Sequence, residues 1–340
     1  MTQFKAAIAG CGAIAPVHTA ALKQLGVQLV AVSDPDVSKT IKWRGAVPYP
    51  DYEFMIKAGG FDVLHICLPH YLHAPAAIFA MEQGINVLCE KPMATSIADA
   101  EQMIKAAEAN NVSLGVIFQN RYNPGSQLVK KALDTRALGK ILSGWLKVTW
   151  HRDEKYYTES TWRGKWETEG GGVLINQSIH TFDLMNYFMG GHPSYIDASI
   201  ANRAHPSIEV EDVAEGIISY RGQGEDEVKI SFYATTIFPY DAPVMLELIC
   251  ENGRATMTGD SAVIEYKNGK TETSAPDDDK SLPLGTKSYW GISHTRQIKA
   301  FYDALEQHKK PEIDGEEALV TQKLICGIYE SGKTGRRVDF

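Results

Sequence analysis

The sequence predicts two domains, an N-terminal α/β domain with a doubly wound parallel sheet and a C-terminal α+β domain with a mostly antiparallel sheet. Three observations predict this class: the length, the alternation of strand and helix patterns in the first third, and the loss of that alternation beyond it. The chain has 340 residues, roughly twice the usual length of one domain. We expect a first domain at 1–121 and a second at 122–340, and we allow for a C-terminal helix that packs back on the first domain.

The N-terminal third alternates short apolar runs with segments of helical periodicity. The runs that predict strands are 4–9, 27–32, 63–68, 87–89 and 113–118. The segments that predict helices are 15–25, 73–83 and 96–109. Such alternation is typical of repeated βαβ units, and it predicts a parallel sheet with helices on both faces.

Beyond this region, strand patterns follow one another without intervening helices. The predicted strands are 141–150, 195–202, 213–220, 228–235 and 244–250. The predicted helices are 124–133, 175–188, 294–306 and 316–330. Successive strands of this kind predict a mostly antiparallel sheet in an α+β domain.

The composition is that of an ordinary folded protein. Hydrophobic residues make up 44% and charged residues 22% of the chain, which excludes collagen, coiled coils and wholesale disorder. A formal charge of -8 argues against nucleic acid or an anionic membrane as the main partner. No run reaches the ~18 apolar residues of a spanning helix, and the N-terminus lacks a signal-peptide pattern. We therefore expect a cytoplasmic protein.

Neither the cysteines nor the histidines are spaced as metal ligands. The five cysteines are odd in number, widely separated and without a C-x-x-C motif, so we expect neither a disulfide framework nor a zinc site. Histidines such as His18, His151 and His308 form no set with ligand spacing. We expect them to be structural or surface residues and expect no metal.

A glycine-rich turn follows the first predicted strand and opens the first predicted helix. Its sequence, Gly10-Cys11-Gly12-Ala13-Ile14-Ala15, matches G-x-G-x-x-A, the dinucleotide-binding fingerprint of a Rossmann fold. Gly10 permits the tight turn, Gly12 lets the backbone approach a pyrophosphate, and the small Ala15 lets the helix pack close to the strand. The phosphates would lie at the helix N-terminus, so Gly10, Gly12, Ala13 and Ile14 are the expected contacts.

An acidic residue follows the second predicted strand. Asp34 lies about 20 residues beyond Gly12, where a carboxylate accepts hydrogen bonds from the adenosine ribose of a dinucleotide. This favours NAD over NADP, although Lys39 and Arg44 lie near enough to keep NADP open. The alternative is that the glycines only form a turn and Asp34 caps the next segment. The combined strand-turn-helix-strand-acid order favours dinucleotide binding.

Two polar segments follow the third and fourth predicted strands. They are Leu68-Pro69-His70-Tyr71-Leu72-His73 and Cys89-Glu90-Lys91-Pro92. Ligands of open α/β sheets bind at the carboxyl ends of strands. Glu90-Lys91-Pro92 resembles the E-K-P motif of the glucose-fructose oxidoreductase, inositol dehydrogenase and MocA (Gfo/Idh/MocA) family.

The resemblance to this family covers nearly the whole chain. It includes Asn120-Arg121-Tyr122, Trp162-Arg163-Gly164 and the stretch GGGVLINQSIHTFDL at 170–184. Family membership implies an N-terminal Rossmann domain that binds a nicotinamide cofactor. It also implies a C-terminal domain with a large open sheet that often makes oligomer contacts, so we expect a homodimer or homotetramer.

The resemblance further implies residue roles. Lys91 matches the family lysine that hydrogen-bonds the reacting hydroxyl or carbonyl, and His180 matches the histidine that exchanges the proton. The chemistry needs such groups, because a carbinol that loses hydride needs a base at its oxygen and a ketone that gains hydride needs an acid. Residues expected at the cofactor are Leu68, Pro69, His73, Glu90, Lys91, Trp162 and Arg163. Residues expected at the substrate are Lys91, Arg121, Tyr157, Asn176 and His180.

Aromatic and basic residues also cluster ahead of the triple glycine. Tyr156, Tyr157, Trp162 and Arg163 combine ring faces with hydrogen-bonding groups, which suits a sugar ring. Trp162 is equally compatible with plain core packing.

The family match is incomplete at Asn176, a position that is aspartate in part of the family. Asparagine can orient a hydroxyl but cannot take its proton, so the proton falls to His180 or Lys91. Asn176 and His180 have i and i+4 spacing, and a helix beginning near Asn176 would place them on one face. Asp183 either holds the imidazole of His180 or caps the helix and faces solvent.

These features predict an NAD-dependent oxidoreductase that oxidises a ring hydroxyl of a sugar, cyclitol or sugar derivative, or reduces the matching ketone. Two alternatives stay open. One is a hydrolase of the same family that uses tightly held NAD as a transient redox partner to cleave a glycosidic bond. The other is a non-catalytic sugar-sensing regulator on the same fold.

Overall fold

The computed structural model describes residues 4–191, 193–221, 227–275 and 293–340. Contacts divide the chain into two compact units. The first contains the described residues of 1–119 and 279–322, and the second those of 120–278 and 323–340. The helix at 293–306 therefore groups with the first unit, as does the start of the helix that follows it.

In chain order the helices are α1 (Ala15–Leu25), α2 (Tyr52–Ala58), α3 (His73–Glu82), α4 (Ile97–Ala109), α5 (Pro124–Asp134), α6 (Glu154–Thr158), α7 (Ile179–Met189), α8 (Ser293–Glu306) and α9 (Gly315–Thr334). A π-helical turn at Val173–Ser178 precedes α7 directly. The strands are β1 (Lys5–Ala9), β2 (Gln28–Ser33), β3 (Val47–Tyr49), β4 (Val63–Ile66), β5 (Asn86–Cys89), β6 (Leu114–Val116), β7 (Ile141–Thr149), β8 (Pro193–Ala201), β9 (Val213–Arg221), β10 (Glu227–Thr235), β11 (Met245–Cys250), β12 (Gly253–Thr258), β13 (Ser261–Tyr266), β14 (Thr271–Thr273) and β15 (Val338–Asp339).

The first unit is built on a parallel sheet, as the sequence predicted. Within the described residues the sheet has six strands in the order β3-β2-β1-β4-β5-β6, and every neighbouring pair is parallel. The apolar residues of β1 and β4 are fully buried, which is why both strands read as short continuous apolar runs. The strand order reverses between β1 and β4, and doubly wound sheets bind ligands at the carboxyl ends there.

Two features of the helices complete this unit. Ser96 is the N-cap of α4, and its side chain accepts a hydrogen bond from the backbone N–H of Asp99 (3.1 Å). Helix α8 supplies Gln297, whose side chain accepts from the N–H of Phe118 (2.9 Å) and donates to the carbonyl of Val116 (2.7 Å). One glutamine thus satisfies two backbone groups at and just beyond the edge strand β6.

The second unit contains a large, mostly antiparallel sheet, also as predicted. In the described part of the chain it has nine strands in the order β14-β13-β12-β11-β7-β10-β9-β8-β15. The pair β7 and β10 is parallel, and the other neighbouring pairs are antiparallel. Residues alternate between buried and exposed along most of β10, so one face of the sheet carries the core. Helix α7 packs there, with the rings of Phe182 and Phe232 5.2 Å apart.

A buried ion pair ties α7 to the start of this unit. The guanidinium of Arg121 donates from Nε to Oδ2 of Asp183 (2.7 Å) and from NH2 to Oδ1 (2.6 Å). Arg121 is 3% exposed and Asp183 is fully buried. The bidentate geometry satisfies both carboxylate oxygens, which is what makes such a burial tolerable.

Removing one member of this pair should therefore cost far more than removing a surface pair. We expect Arg121→Met to lower the free energy of unfolding by about 3–5 kcal/mol, because Asp183 would remain as an uncompensated buried charge. The control is Arg203→Met, which removes an exposed contact with Glu215 (3.4 Å) and should change stability little. Urea unfolding measures both variants, and losses of equal size would contradict a structural role for Arg121.

Candidate active site

The glycine turn after β1 needs glycine at its first position. Gly10 has a φ of +88°, and a Cβ there would collide with the carbonyl oxygen of Cys67, just beyond β4. The backbone N–H of Gly10 donates to the carbonyl of Ser33 (2.8 Å). The turn is therefore wedged between the chain segments that leave β2 and β4.

The second glycine faces open space. A Cβ at Gly12 would meet no atom of the described residues within 4 Å, and Gly12 and Ala13 are exposed. Ile14 is the N-cap of α1, and no side chain caps this helix end. Exposed N–H groups at a helix N-terminus, with free space beside them, fit the pyrophosphate of a dinucleotide.

Asp34 lies directly after β2, close to this turn. Its Oδ2 accepts from the N–H of Cys11 (3.0 Å), and its Oδ1 accepts from the N–H of Asp36 (2.9 Å). Each oxygen has a further lone pair, so a ribose hydroxyl can still donate to the carboxylate. The capping of the next short helix, which the sequence left open for Asp34, is performed by Asp36, whose side chain accepts from the N–H of Ser38 (3.1 Å).

The segments after β4 and β5 are joined by a buried histidine. Leu68 and Pro69 are half-buried, whereas His73 is fully buried. The ring nitrogens of His73 lie 2.8 Å from the carbonyl oxygen of Leu68 and 2.7 Å from that of Pro92. The predicted cofactor contact of His73 does not fit this burial; His73 instead fixes the two loops that carry Leu68 and Lys91.

Glu90 is held from inside the unit. Its Oε1 lies 2.9 Å from Nε2 of His18 and 3.4 Å from Nε2 of His294, and its Oε2 accepts from the backbone N–H of Lys91 (3.3 Å). Burial alone would raise the pKa of Glu90, but the hydrogen bonds from the two histidines outweigh it and hold this pKa well below the ordinary value. Glu90 is 6% exposed and supports the segment that carries Lys91, a burial that does not favour its predicted cofactor contact.

A buried chain of side chains continues from His18. Its Nδ1 lies 2.8 Å from Nδ1 of His65, and Nε2 of His65 lies 2.9 Å from the hydroxyl of Tyr302. Burial, together with the neighbouring His18, holds the pKa of His65 well below its usual range. A carboxylate only accepts, so Nε2 of His18 carries the proton that it shares with Glu90. The chain satisfies buried polar atoms that would otherwise be costly.

In the second unit the triple glycine leads into a segment that is buried almost throughout. From Gly171 to His180, the side chains that reach solvent are those of Asn176 and His180. The helix predicted over 175–188 begins as the π-helical turn, and α7 starts only at Ile179. The simple i and i+4 argument for a shared face therefore does not apply, although both side chains emerge from the same segment.

A buried acid fixes the side chain of Asn176. Nδ2 of Asn176 donates to Oε1 of Glu169 (2.6 Å) and to the hydroxyl of Tyr156 (3.1 Å). The other oxygen of Glu169 accepts from the backbone N–H of Gly164 (2.5 Å). Because Glu169 accepts only, the amide nitrogen must face it, and Oδ1 is the acceptor atom of the Asn176 amide.

Two of the aromatic predictions separate in the structure. Tyr157 is 3% exposed and packs with Ile208 and Val210, and burial raises its pKa. It lies in the core, and its predicted substrate contact stays a prediction that this burial does not favour. Arg163 lies over the rings of Tyr156 (4.4 Å) and Trp162 (5.0 Å), and all three side chains are half-buried. Trp162 is therefore not a core tryptophan.

Arg121 and Asp183 are also placed differently from expectation. The bidentate pairing described above commits Arg121 to a buried carboxylate, which does not fit its predicted substrate contact. The expectation that Asp183 faces solvent is wrong, because this side chain is fully buried.

Sequence reasoning missed several residues that support the candidates. Glu169, Glu211, Tyr302 and Tyr329 each bond to a segment that carries a candidate residue. Glu211, Tyr302 and Tyr329 lie far from their partners along the chain, so no local signal pointed to them. Glu169 stands beside the triple glycine, and its position there was the available hint.

Across residues 4–191, 193–221, 227–275 and 293–340, no group of three His, Cys, Asp or Glu side chains could hold a metal ion. The five cysteines are free thiols. No helix in the same ranges has the length and apolar character that a membrane span requires.

The parallel sheet, the open turn at Gly12 and the acid after β2 together define a dinucleotide-binding protein. The family model described as an oxidoreductase family with an NAD-binding Rossmann fold matches residues 4–118. The model of the GFO/IDH/MocA C-terminal domain matches residues 126–256. The chain belongs to the Gfo/Idh/MocA family of oxidoreductases, which confirms the resemblance drawn from its motifs.

Comparison with known proteins places sugar dehydrogenases among its relatives. The chain is 25% identical to a D-apiose dehydrogenase of Paraburkholderia graminis, over 99% of this chain and 90% of that protein. It is 25% identical to a D-glucoside 3-dehydrogenase of Escherichia coli, over 99% and 98%. The WlbA dehydrogenase of Bordetella pertussis, solved with NADH and UDP-GlcNAcA, is 28% identical and superposes with a TM-score of 0.85, covering 99% of each chain.

The two glycines of the turn should separate folding from cofactor binding. Gly10→Ala should destabilise the protein by about 1–3 kcal/mol, because the backbone conformation is unfavourable for alanine and its Cβ meets Cys67. Gly12→Ala should fold like the parent chain and bind NAD on the order of tenfold more weakly, because its Cβ enters the open space. Thermal unfolding and NAD titration measure the two effects, and normal NAD affinity in folded Gly12→Ala would contradict this placement.

Asn176→Asp should create a pair of carboxylates with Glu169. Two carboxylates that share a site bind a proton more tightly, so the apparent pKa of the pair rises in the folded state. A pair with a raised folded-state pKa contributes stability that is fully present below the ordinary unfolded-state value, and this stability is lost as the pH rises through the folded-state value. Thermal unfolding against pH should therefore show a larger loss of stability than the parent shows as the pH rises above the ordinary carboxyl range. Glu169→Gln in the same chain should abolish that loss, and an unchanged profile in the single variant would contradict the contact.

Proposed function

We propose that this chain is an NAD-dependent dehydrogenase that oxidises a ring hydroxyl of a sugar, a cyclitol or a sugar derivative, or reduces the matching ketone. The observation that carries the proposal is the exposure of Asn176 and His180 from an otherwise buried segment. A protein that buries the rest of this segment and keeps two hydrogen-bonding side chains accessible has placed them for a ligand.

The proposed chemistry divides the work among three residues. Bound NAD supplies the carbon that accepts the hydride. Lys91, at the end of β5, hydrogen-bonds the reacting oxygen, and His180 exchanges the proton of that hydroxyl. Asn176 offers Oδ1 as an acceptor, so it can receive a hydrogen bond from a substrate hydroxyl and thereby orient it.

The class of substrate rests on the relatives and on the exposed aromatic residues. The names of the relatives include dehydrogenases of D-apiose and of D-glucosides. Arg163 with the rings of Tyr156 and Trp162 forms a half-buried stack, and ring faces with polar tips suit a sugar. Trp162 and Arg163 could equally contact the nicotinamide end of the cofactor.

We propose NAD rather than NADP as the preferred cofactor. The carboxylate of Asp34 would repel a 2′-phosphate and accept a 2′-hydroxyl. Lys39 lies 3.8 Å from Oδ1 of Asp34 and is half-exposed, so weaker use of NADP is compatible with this site.

We also propose that the protein is a homo-oligomer that uses the outer face of the nine-stranded sheet. Ile217 on β9 and Tyr233 on β10 are 41% and 36% exposed. Ile217 pairs across the strands with Ser231, which in turn pairs with Trp145 on β7. These residues share one face, and exposed apolar side chains of this kind are typical of an interface.

The decisive experiment is NADH formation, followed by absorbance, with a panel of inositols, aldoses and their uronic or amino derivatives, run in parallel with NADP. We expect one polyol to reduce NAD. Lys91→Met and His180→Ala should each abolish turnover and leave NAD affinity within a few-fold, because they act on the substrate oxygen. Retained turnover in both variants would contradict these roles. If no compound of the panel yields NADH but NAD still binds, the result would favour the NAD-dependent hydrolase. If no NADH forms and NAD does not bind, the result would favour the regulator.

A further inference from the structure

Glu211 is a fully buried acid whose bonds all go to the segment that carries Asn176 and His180, or to one tyrosine. Its Oε2 accepts from the backbone N–H of Gly172 (2.9 Å), and its Oε1 accepts from that of Leu174 (2.9 Å). Glu211 is 2% exposed. These N–H groups stand at the start of the π-helical turn, where few backbone partners are available and a negative group is favoured.

Tyr329 of α9 completes the arrangement. Its hydroxyl donates to Oε1 of Glu211 (3.0 Å) and accepts from the N–H of Ile175 (3.2 Å). The two side chains therefore accept from the backbone N–H groups of three residues of the segment: Gly172, Leu174 and Ile175.

Glu211 and Tyr329 leave no room for a side chain at two of the glycines. A Cβ at Gly171 would collide with the hydroxyl of Tyr329, and a Cβ at Gly172 would collide with the carbonyl oxygen of Glu211. The N–H of Val173 also donates to that carbonyl (3.2 Å). Gly171 and Gly172 thus stand where Glu211 and Tyr329 approach the backbone too closely for any side chain.

We propose that Glu211 and Tyr329 are positioning residues, which hold the glycine loop and the π-helical turn and so set where Asn176 and His180 lie. This role rests on the proposed function, since it is through those two residues that it affects the reaction. Neither Glu211 nor Tyr329 touches the reacting atoms in this account.

The pair has few charged neighbours. Glu169 acts on Tyr329 through its charge, and Lys333 lies over the rings of Trp166 (3.6 Å) and Tyr329 (5.8 Å). The adjacent Asp212 is committed to His205, whose Nδ1 is 2.9 Å from its Oδ2. Burial raises the pKa of Glu211 to about 7 despite its donors, and burial with the charge of Glu211 raises that of Tyr329.

The carboxyl of Glu211, which holds the segment, therefore titrates near neutral pH. A carboxyl with a higher pKa in the closed segment stabilises the closed form fully below the open-state value, and that stability is lost as the pH rises through the closed-state value. Between an ordinary value of 4.5 and about 7, opening should become more frequent by up to roughly 300-fold. Above about 7 it should level off.

The test is amide hydrogen exchange at residues 172–178, measured without substrate between about pH 5 and pH 8 and corrected for intrinsic exchange rates. The parent chain should show opening that rises to about pH 7, and Glu211→Gln should abolish the rise. Tyr329→Phe keeps the carboxylate of Glu211, so it is the second variant should Glu211→Gln fail to fold. It should expose the amide of Ile175 to exchange. The control is Tyr220→Phe, which removes a fully buried hydroxyl that donates to Asn186 (2.6 Å) and should leave this segment unchanged.

Exchange at 172–178 that is the same in Tyr329→Phe as in the parent chain would overturn the proposal, as would a corrected parent profile without the pH-dependent rise. Because exchange needs no substrate, it separates this proposal from the proposed function. If the dehydrogenase is confirmed, Tyr329→Phe should also lower kcat and leave the KM for NAD unchanged, and Tyr220→Phe should do neither.

Discussion

The candidate residues of the dinucleotide turn and those that follow the triple glycine depend on the same constraint. In each region the backbone approaches another group too closely to admit a side chain. At Gly10 the neighbour is the carbonyl of Cys67, and this contact holds the dinucleotide turn against the chain that leaves β4. At Gly171 and Gly172 the neighbours are Tyr329 and Glu211. Close approach fixes the backbone without flexible contacts, so the groups that follow each turn have one position available.

Around these turns the protein buries charges, and each buried charge has assigned donors. Glu90 has two histidines and a backbone N–H, Asp183 has the fork of Arg121, and Glu211 has two N–H groups and a tyrosine. Burial of this kind contributes little net stability, but breaking it is costly, so it specifies one arrangement. The candidate residues Lys91, Asn176 and His180 lie on segments that these networks hold, and their side chains are partly exposed.

The fold was largely readable from the sequence, because periodicity and glycine spacing are local signals. Strands β1, β2, β4 to β11 and most helices lie where apolar patterns placed them, and the family motifs identified the oxidoreductase. The three-residue strand β3 and the helix α2 were missed, because each is short and half-exposed and therefore carries little apolar pattern. The strands β12 to β14 were missed for a related reason, since they are short and their buried residues alternate with exposed polar ones.

The site was readable only in part. Motifs pointed to Gly12, Asp34, Lys91, Asn176 and His180 as candidates, but motifs alone do not distinguish a residue that meets ligand from one that supports it. Arg121, Tyr157, His73 and Glu90 carry suitable chemistry, and the structure commits each to internal partners or to the core. Arg121 pairs with Asp183, the ring of Tyr157 packs on that of His205, and Glu90 pairs with His18. Each of these partners lies far away in sequence. Only the folded chain shows which polar groups are already satisfied.

The central claim is that hydride moves from a substrate carbon to the nicotinamide. The most direct test is to incubate the protein with NAD and a polyol that carries deuterium at the oxidised carbon, and to analyse the cofactor by mass spectrometry. We expect NADH that contains one deuterium, in an amount equal to the ketone formed. Turnover of the substrate with no deuterium in the cofactor would contradict direct hydride transfer and, with it, the proposed function.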